Sequence, residues 1–484
     1  MSKFFRTELR KDPAMDPTRQ HDPRAWRATA LLLFVVGLCA CRGDKSPPAG
    51  ESRPPAAATT AAATTAVAEA PGDTAIKAQP PAVPNAAEAK KHAGSKLKYY
   101  SEPLGVGAEL DKVMVKQFQQ DTGIEVTIIP RPKDATETYA VYQRLFQAQS
   151  GDVDVMMLDV IWPGAFAQNL VDLNEKLGEA AKQHIESIVR NNTVGGKLVA
   201  MPWFTDFGLL YYRTDLLEKY GYKKPPETWD ELEQMAKKIQ DGERASNPNF
   251  LGFVWQGKAY EGLTCNALEW IASHGGGAII EDGKITVNNP GAQKALARAK
   301  GWVGSISSAG VTSYEEEDAR NTFQGGHAAF MRNWPYAYAA GNADKSPIKG
   351  KFGAGPLPHE PGQKSSGTVG GWQLAVSKFS PNKDAAIEFV RYMTSPEAQK
   401  FRATAGSFIP TIPSVQQDPD VVKSLPFLAN AKDIALVPRP SNSTGARYNE
   451  ASIAFFQGVS QVLQGKEPKA VLGQVEQRLT RALR

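Results

Sequence analysis

From residue 96 onward, short apolar runs alternate with stretches of helical periodicity. Leu97-Lys98-Tyr99-Tyr100 reads as a strand, and residues 107–120 place Leu110, Val113, Met114 and Phe118 on one helical face. A second strand over 124–129 and a second helix over 138–149 follow. The third strand, 154–158, is nearly all apolar, the pattern of a strand buried on both faces. Strand, helix, strand, helix, strand predicts a parallel α/β sheet. Asp159 falls just past the carboxyl end of that third strand, where open parallel sheets bind ligands; it also suits the cap of a following helix.

Further on, 195–197 read as a turn and 198–202 as a strand. An irregular aromatic piece, 203–208, leads into a strand over 209–212 and a helix from 213. Thr228 precedes a helical stretch with Glu231 three residues on, the spacing of a capping box. Residues 320–325 read as helical. The acidic run Glu315-Glu316-Glu317-Asp318 reads as a solvated helix start, and Gly275-Gly276-Gly277 as the loop that ends the preceding helix.

The stretch 252–270, GFVWQGKAYEGLTCNALEW, joins Phe253, Trp255 and Tyr260 to a lone carboxylate, Glu261. A flat ring beside an isolated carboxylate suits a sugar, whose C–H face packs on the ring while paired hydroxyls donate to the carboxylate. The same residues serve equally as a core aromatic cluster with Glu261 at the surface.

The N-terminus carries a different signal. Arg24 and Arg27 precede an apolar run, 28–40, too short to span a bilayer and typical of a secretory leader. It closes on Leu38-Cys39-Ala40-Cys41, which resembles a bacterial lipobox and implies lipidation of Cys41 after removal of residues 1–40. Met15 serves as well as Met1 for a start. Residues 41–95 are rich in Pro, Ala and Thr and are expected to form a disordered tether, with the folded body starting near Lys96. The chain has 484 residues, enough for two or three lobes, and an ordinary hydrophobic share of 42%. A net charge of +5 without a basic run gives no reason to expect nucleic acid as a partner. Three cysteines, two of them in the leader, give no disulfide framework and no metal-ligand spacing; Cys265 reads as a small buried hydrophobe.

Several motifs in one order then carry a family resemblance: DVMMLDVIW (154–162), MPWFTDFGLLYYRTDLLEKYGY (201–222), PPETWDEL (225–232), FVWQGKAYEGL (253–263) and MRNWPYAY (331–338). GTVGGWQLAVSKFSPNKDAAIEFVRYMTSPEAQ (367–399) and LQGKEPKAVLGQVEQRL (463–479) complete the set. Together they resemble the extracellular solute-binding proteins of ABC importers, in particular the sugar-binding branch with trehalose/maltose-binding members. The resemblance spans residues 96–484. It implies an α/β, two-lobed periplasmic-binding-protein fold with hinge crossings and a ligand cleft between the lobes. Lobe one takes 96–205 and 370–434, and lobe two 206–369 and 435–484. It further implies a monomer without cofactor or metal that catches a disaccharide such as trehalose or maltose by hinge closure and hands it to membrane permease subunits. With the lipobox, the place of work is the outer face of a membrane in the cell envelope.

Carried over residue by residue, the resemblance points to Glu102 and Asp159 from lobe one and Asp206 at the first crossing. Trp255, Tyr260, Glu261, Asn333, Trp334 and Tyr336 come from lobe two, and Gly370, Gly371 and Trp372 from the second crossing. Arg447, after the third crossing, suits either bonds to adjacent hydroxyls or a surface salt bridge, and Trp334 and Tyr336 equally suit core packing. Three other readings stay open. One is a glycosidase using Asp159 and Glu261 as its carboxylate pair. Another is a binding protein for glycerol phosphate or a polyamine. The third is an adhesin with no small ligand.

Overall fold

A computed structural model describes residues 76–484 except Asn85, Asp282 and Arg484. The leader, the lipobox with Cys41 and the tether as far as residue 75 lie outside the described residues.

Two sheets carry the fold. The chain lays down β1 (Lys96–Ser101), β2 (Glu125–Pro130), β3 (Val155–Asp159) and β4 (Met201–Phe207) in the first sheet. It then passes to a second sheet for β5 (Leu209–Arg213), β6 (Leu251–Val254), β7 (Ala328–Asn333) and β8 (Phe352–Gly355). It returns with β9 (Ser366–Val376) and adds β10 (Ile409–Pro410) and β11 (Ala435–Val437) to the first sheet. The strand order is β10-β4-β9-β3-β1-β2 in lobe one, with β11 paired to β9, and β8-β5-β7-β6 in lobe two. β1 pairs parallel with β2 and β3, each crossover being made by a helix, Gly105–Thr122 and Ala135–Gln147. All five residues of β3 are buried, as its apolar run predicts. This is a two-lobed periplasmic-binding-protein fold.

The aromatic piece at 203–208, expected as irregular, is instead a continuation of β4 through Phe207. Trp203 and Phe204 are buried in the core of lobe one while Phe207 is buried in a cluster with β5, so one strand serves both lobes. The turn between β4 and β5 is Gly208. A Cβ there would stand 1.9 Å from Glu269 Oε1 and 2.6 Å from Arg332 Nη2, so only glycine passes beneath that buried ion pair. Thr228 and Glu231 form the expected capping box on helix Trp229–Glu243.

Two expectations need correction. The chain is packed well before Lys96. Val83 and Ala89 are buried in the core of lobe one, the Val83 amide donates to Asp121 (2.9 Å), and Tyr392 donates its hydroxyl to the Pro81 carbonyl (3.1 Å). The composition of the tether hid these few apolar anchors. Residues 413–434, expected in lobe one, join a cluster that spans both lobes: Val415, Phe427 and Ile434 share it with Ala403 and Ile409 of lobe one and with Tyr211, Ala337 and Phe352 of lobe two. The last two helices, Tyr448–Leu463 and Pro468–Ala482, pack in the lobe-two core.

A chain beginning at Lys96 is therefore expected to be less stable than one beginning at Ile76 by about 2 kcal/mol, the order of one buried valine plus an alanine. Urea unfolding of the two chains side by side measures the difference.

Candidate ligand-binding cleft

β9 runs between β3 and β4 and gathers the cleft. Its Gly370 lies opposite Asp206 of β4, and its Trp372 lies opposite Asp159 of β3 and Phe204 of β4. Strand register alone thus places two carboxylates and an indole side by side. A Cβ at Gly370 would fall 2.0 Å from Asp206 Oδ1 and 3.1 Å from the Trp334 ring, so the glycine leaves the room that this carboxylate occupies. Lobe two supplies the opposite wall from the start of helix Glu261–Ser273, from the segment after β7, and from helix Glu316–Gln324. The cleft, counted with the open space at its mouth, takes up about 1070 Å³.

Glu102, Asp159, Asp206, Tyr260, Glu261, Trp334, Tyr336, Gly370, Gly371 and Trp372 all line this one space. The remaining three candidates do not. Trp255 follows β6 with its ring turned into the lobe-two core: it is fully buried against Trp270 and Trp302, and its Nε1 donates to Ser307 Oγ at 3.0 Å. Asn333 is buried and braces the loop behind the cleft, donating from Nδ2 to the Glu316 carbonyl (3.0 Å) and accepting from the Trp334 amide (2.8 Å). Arg447 is exposed and donates to the Ala482 carbonyl at 2.8 Å.

The cleft's arginine is Arg439, two residues past β11, and buried. Its Nη1 donates to Asp159 Oδ2 (2.9 Å) and to Glu261 Oε1 (3.0 Å), and its Nη2 donates to Asp159 Oδ1. One guanidinium therefore ties a carboxylate of lobe one to a carboxylate of lobe two. Glu261 also accepts from the hydroxyls of Tyr448 (2.5 Å) and Ser452 (2.6 Å), which occupies the group expected to face a sugar. Burial pushes the Glu261 carboxyl up, and Arg439 pulls it down.

Arg131 also lies outside the expected set. It is buried, donates weakly to Glu102 Oε2 (3.4 Å), and its guanidinium carbon lies 4.1 Å from the Trp372 ring centroid. Lys133 joins it on the lining. The acidic run opens a helix as expected, yet Glu315, Glu316 and Glu317 are not simply solvated, because all three line the cleft. At the rim Lys258 of lobe two donates to Asp134 of lobe one (3.2 Å) and to Glu315. Cys265 is buried as expected and touches the floor.

Two carboxylates differ from the rest. The Asp206 carboxylate makes no hydrogen bond or ion pair among the described residues. Burial, reinforced by the charge of Asp159, pushes its pKa up to about 7. Burial also raises Glu102, against the pull of Arg131. No cluster of described residues has the makings of a metal site. No described helix is long and apolar enough to cross a membrane.

Comparison with known proteins decides the family. Residues 100–400 match the bacterial extracellular solute-binding protein family. The chain belongs to that family. A Deinococcus radiodurans protein described as "Probable ABC transporter-binding protein" is 50% identical over 401 residues, covering 82% of this chain and 95% of the relative. Maltose-bound MalE3 of T. maritima superposes with a TM-score of 0.75 at 41% identity, covering 80% of this solute-binding protein and all of that chain. A Thermotoga lettingae solute-binding protein with bound α-D-tagatose superposes at 0.72 with 24% identity over 81% of the chain and 100% of its own, which speaks for the fold alone. This solute-binding protein is thus an ABC-importer component whose relatives are binding proteins rather than enzymes.

Removing the guanidinium leaves two buried carboxylates unpaired. Arg439→Ala should cost the protein about 3 kcal/mol or more in urea unfolding, while Arg447→Ala stays within about 0.5 kcal/mol of the parent.

Proposed function

We propose that this solute-binding protein captures a neutral disaccharide of the maltose or trehalose kind between its lobes and presents it to an ABC permease. The observation that carries the reading is the division of labour among the cleft's charges. Seven carboxylates and three cationic side chains line the space. Asp159 and Glu261 are held by Arg439, and Glu315, Glu316 and Glu317 by Lys258, ring hydroxyls or Arg320. That leaves the Asp206 carboxylate without a protein partner and Glu102 with one long bond. Two carboxylates with lone pairs to spare suit hydroxyl groups, which donate to them. The faces of Trp372, Trp334 and Tyr336 add apolar surface for the ring C–H faces of a sugar.

The same count weighs against a polyamine, since five of the seven carboxylates already accept hydrogen bonds from the protein. It also argues against a phosphate ester, because the two free carboxylates would face the anion. The geometry speaks against a glycosidase built on Asp159 and Glu261. Asp159 and Glu261 share one arginine, and neither is free to protonate a leaving group or attack a sugar. The 41% identity to a maltose-bound relative supports a maltose-like ligand. We further propose that Cys41, if lipidated, anchors the protein at the membrane face where the permease works.

Isothermal titration of the purified protein with maltose, trehalose and sucrose tests the reading. At least one is expected to bind without release of glucose, and failure of all three alongside binding of spermidine or glycerol phosphate would sink it. Asp206→Asn should weaken the bound sugar by about 2 kcal/mol, the scale of a charged hydrogen bond. Sugar hydroxyls donate to the ionised carboxylate, so binding favours deprotonation. Affinity should then rise as pH climbs from below to above about 7, the pKa of Asp206. The Asn variant should lose that slope.

A further inference from the structure

We propose that Glu316 and Glu317 are positioning residues: together they hold the three lobe-two rings of the cleft so that faces, and not polar edges, meet the ligand. The inference rests on the sugar reading of this cleft and gives a separate role to two of its lining carboxylates. Glu316 Oε2 accepts from the Tyr260 hydroxyl at 2.6 Å, and its Oε1 accepts from Trp334 Nε1 at 3.3 Å. The neighbouring Glu317 Oε1 accepts from the Tyr336 hydroxyl at 2.6 Å. All three rings line the cleft, and they come from two separate segments, one before helix Glu261–Ser273 and one after β7. Among the described residues, the first turn of helix Glu316–Gln324 accepts the hydrogen bond that each of these polar edges donates.

The bracing extends behind the carboxylates. The Glu315–Asp318 capping box fixes the turn, Arg320 Nε donates to Glu317 Oε2 at 2.7 Å, and the Glu316 carbonyl accepts from Asn333 at 3.0 Å. The guanidinium carbon of Arg332 lies 3.9 Å from the Trp334 ring centroid, covering one face of the indole. With one face covered and its N–H spoken for, Trp334 has its other face to offer. A ring free to swing would lose entropy on binding that a ring already held does not. Holding the rings from one helix turn also keeps them in register with each other.

The test needs a readout that a general loss of structure would not move, and one that does not depend on the ligand. Fluorine NMR of fluorotryptophan-labelled protein, with Trp334 assigned from Trp334→Phe, reports the ring directly in the ligand-free state. In Glu316→Ala the Trp334 resonance should shift and broaden, and maltose affinity should fall about tenfold, the size of one lost hydrogen bond. Glu316→Gln keeps an acceptor oxygen and should stay within about threefold of the parent, with a sharp Trp334 signal. If Glu316→Ala does not fold, Tyr260→Phe removes only the hydroxyl that Glu316 holds and should weaken binding while the protein still melts in one cooperative transition. An unmoved Trp334 resonance or unaltered affinity in the variant that folds overturns the proposal, as does a loss that Gln fails to rescue. Absence of maltose binding by the parent protein counts against the sugar reading, and the Trp334 resonance then decides this inference alone.

Discussion

One buried guanidinium joins the halves of this molecule. Arg439 carries a charge into a place that water barely reaches, a costly position unless opposing charges come with it. Those charges arrive from opposite lobes, Asp159 from the end of β3 and Glu261 from the start of a lobe-two helix. Everything at the base of the cleft is arranged around making that possible. Tyr448 and Ser452 complete the bonds to Glu261, and β9 sets Asp159 beside Trp372. A low-dielectric base then strengthens whatever polar contacts form above it.

The chemistry of the cleft follows from what that network consumes. Carboxylates already bonded to protein donors have fewer lone pairs to offer, so most of the acidic wall is committed before a ligand arrives. What is left over for a ligand is chiefly Asp206 and Glu102. Hinge strands that pass between the lobes bring these groups to one place while leaving the halves able to close on a ligand.

The α/β alternation, the capping box at Thr228 and the buried third strand were legible because each depends on local periodicity or spacing. Asp159 was legible from its place past a buried strand, while Asp206, Gly370 and Trp372 were reached through the family resemblance, and the register of β4, β9 and β3 then sets them side by side. Arg439 was not legible. It follows a three-residue strand and precedes a single helical turn, neither of which has a period to read, so Arg447 looked as good. Trp255 misled for the converse reason. An aromatic just past a strand suits either face, and only packing against Trp270 and Trp302 chooses the core. Glu316 and Glu317 look like any charged helix start until distant tyrosines and a tryptophan arrive to use them.

The packed segment ahead of Lys96 has a mechanical meaning. Val83 and Ala89 are buried in lobe one and Pro81 is bonded to Tyr392 there, while Lys77, four residues upstream of Pro81, pairs with Asp344 of lobe two. The segment ahead of β1 therefore reaches both halves, and a change in the angle between them would act on the Lys77–Asp344 pair.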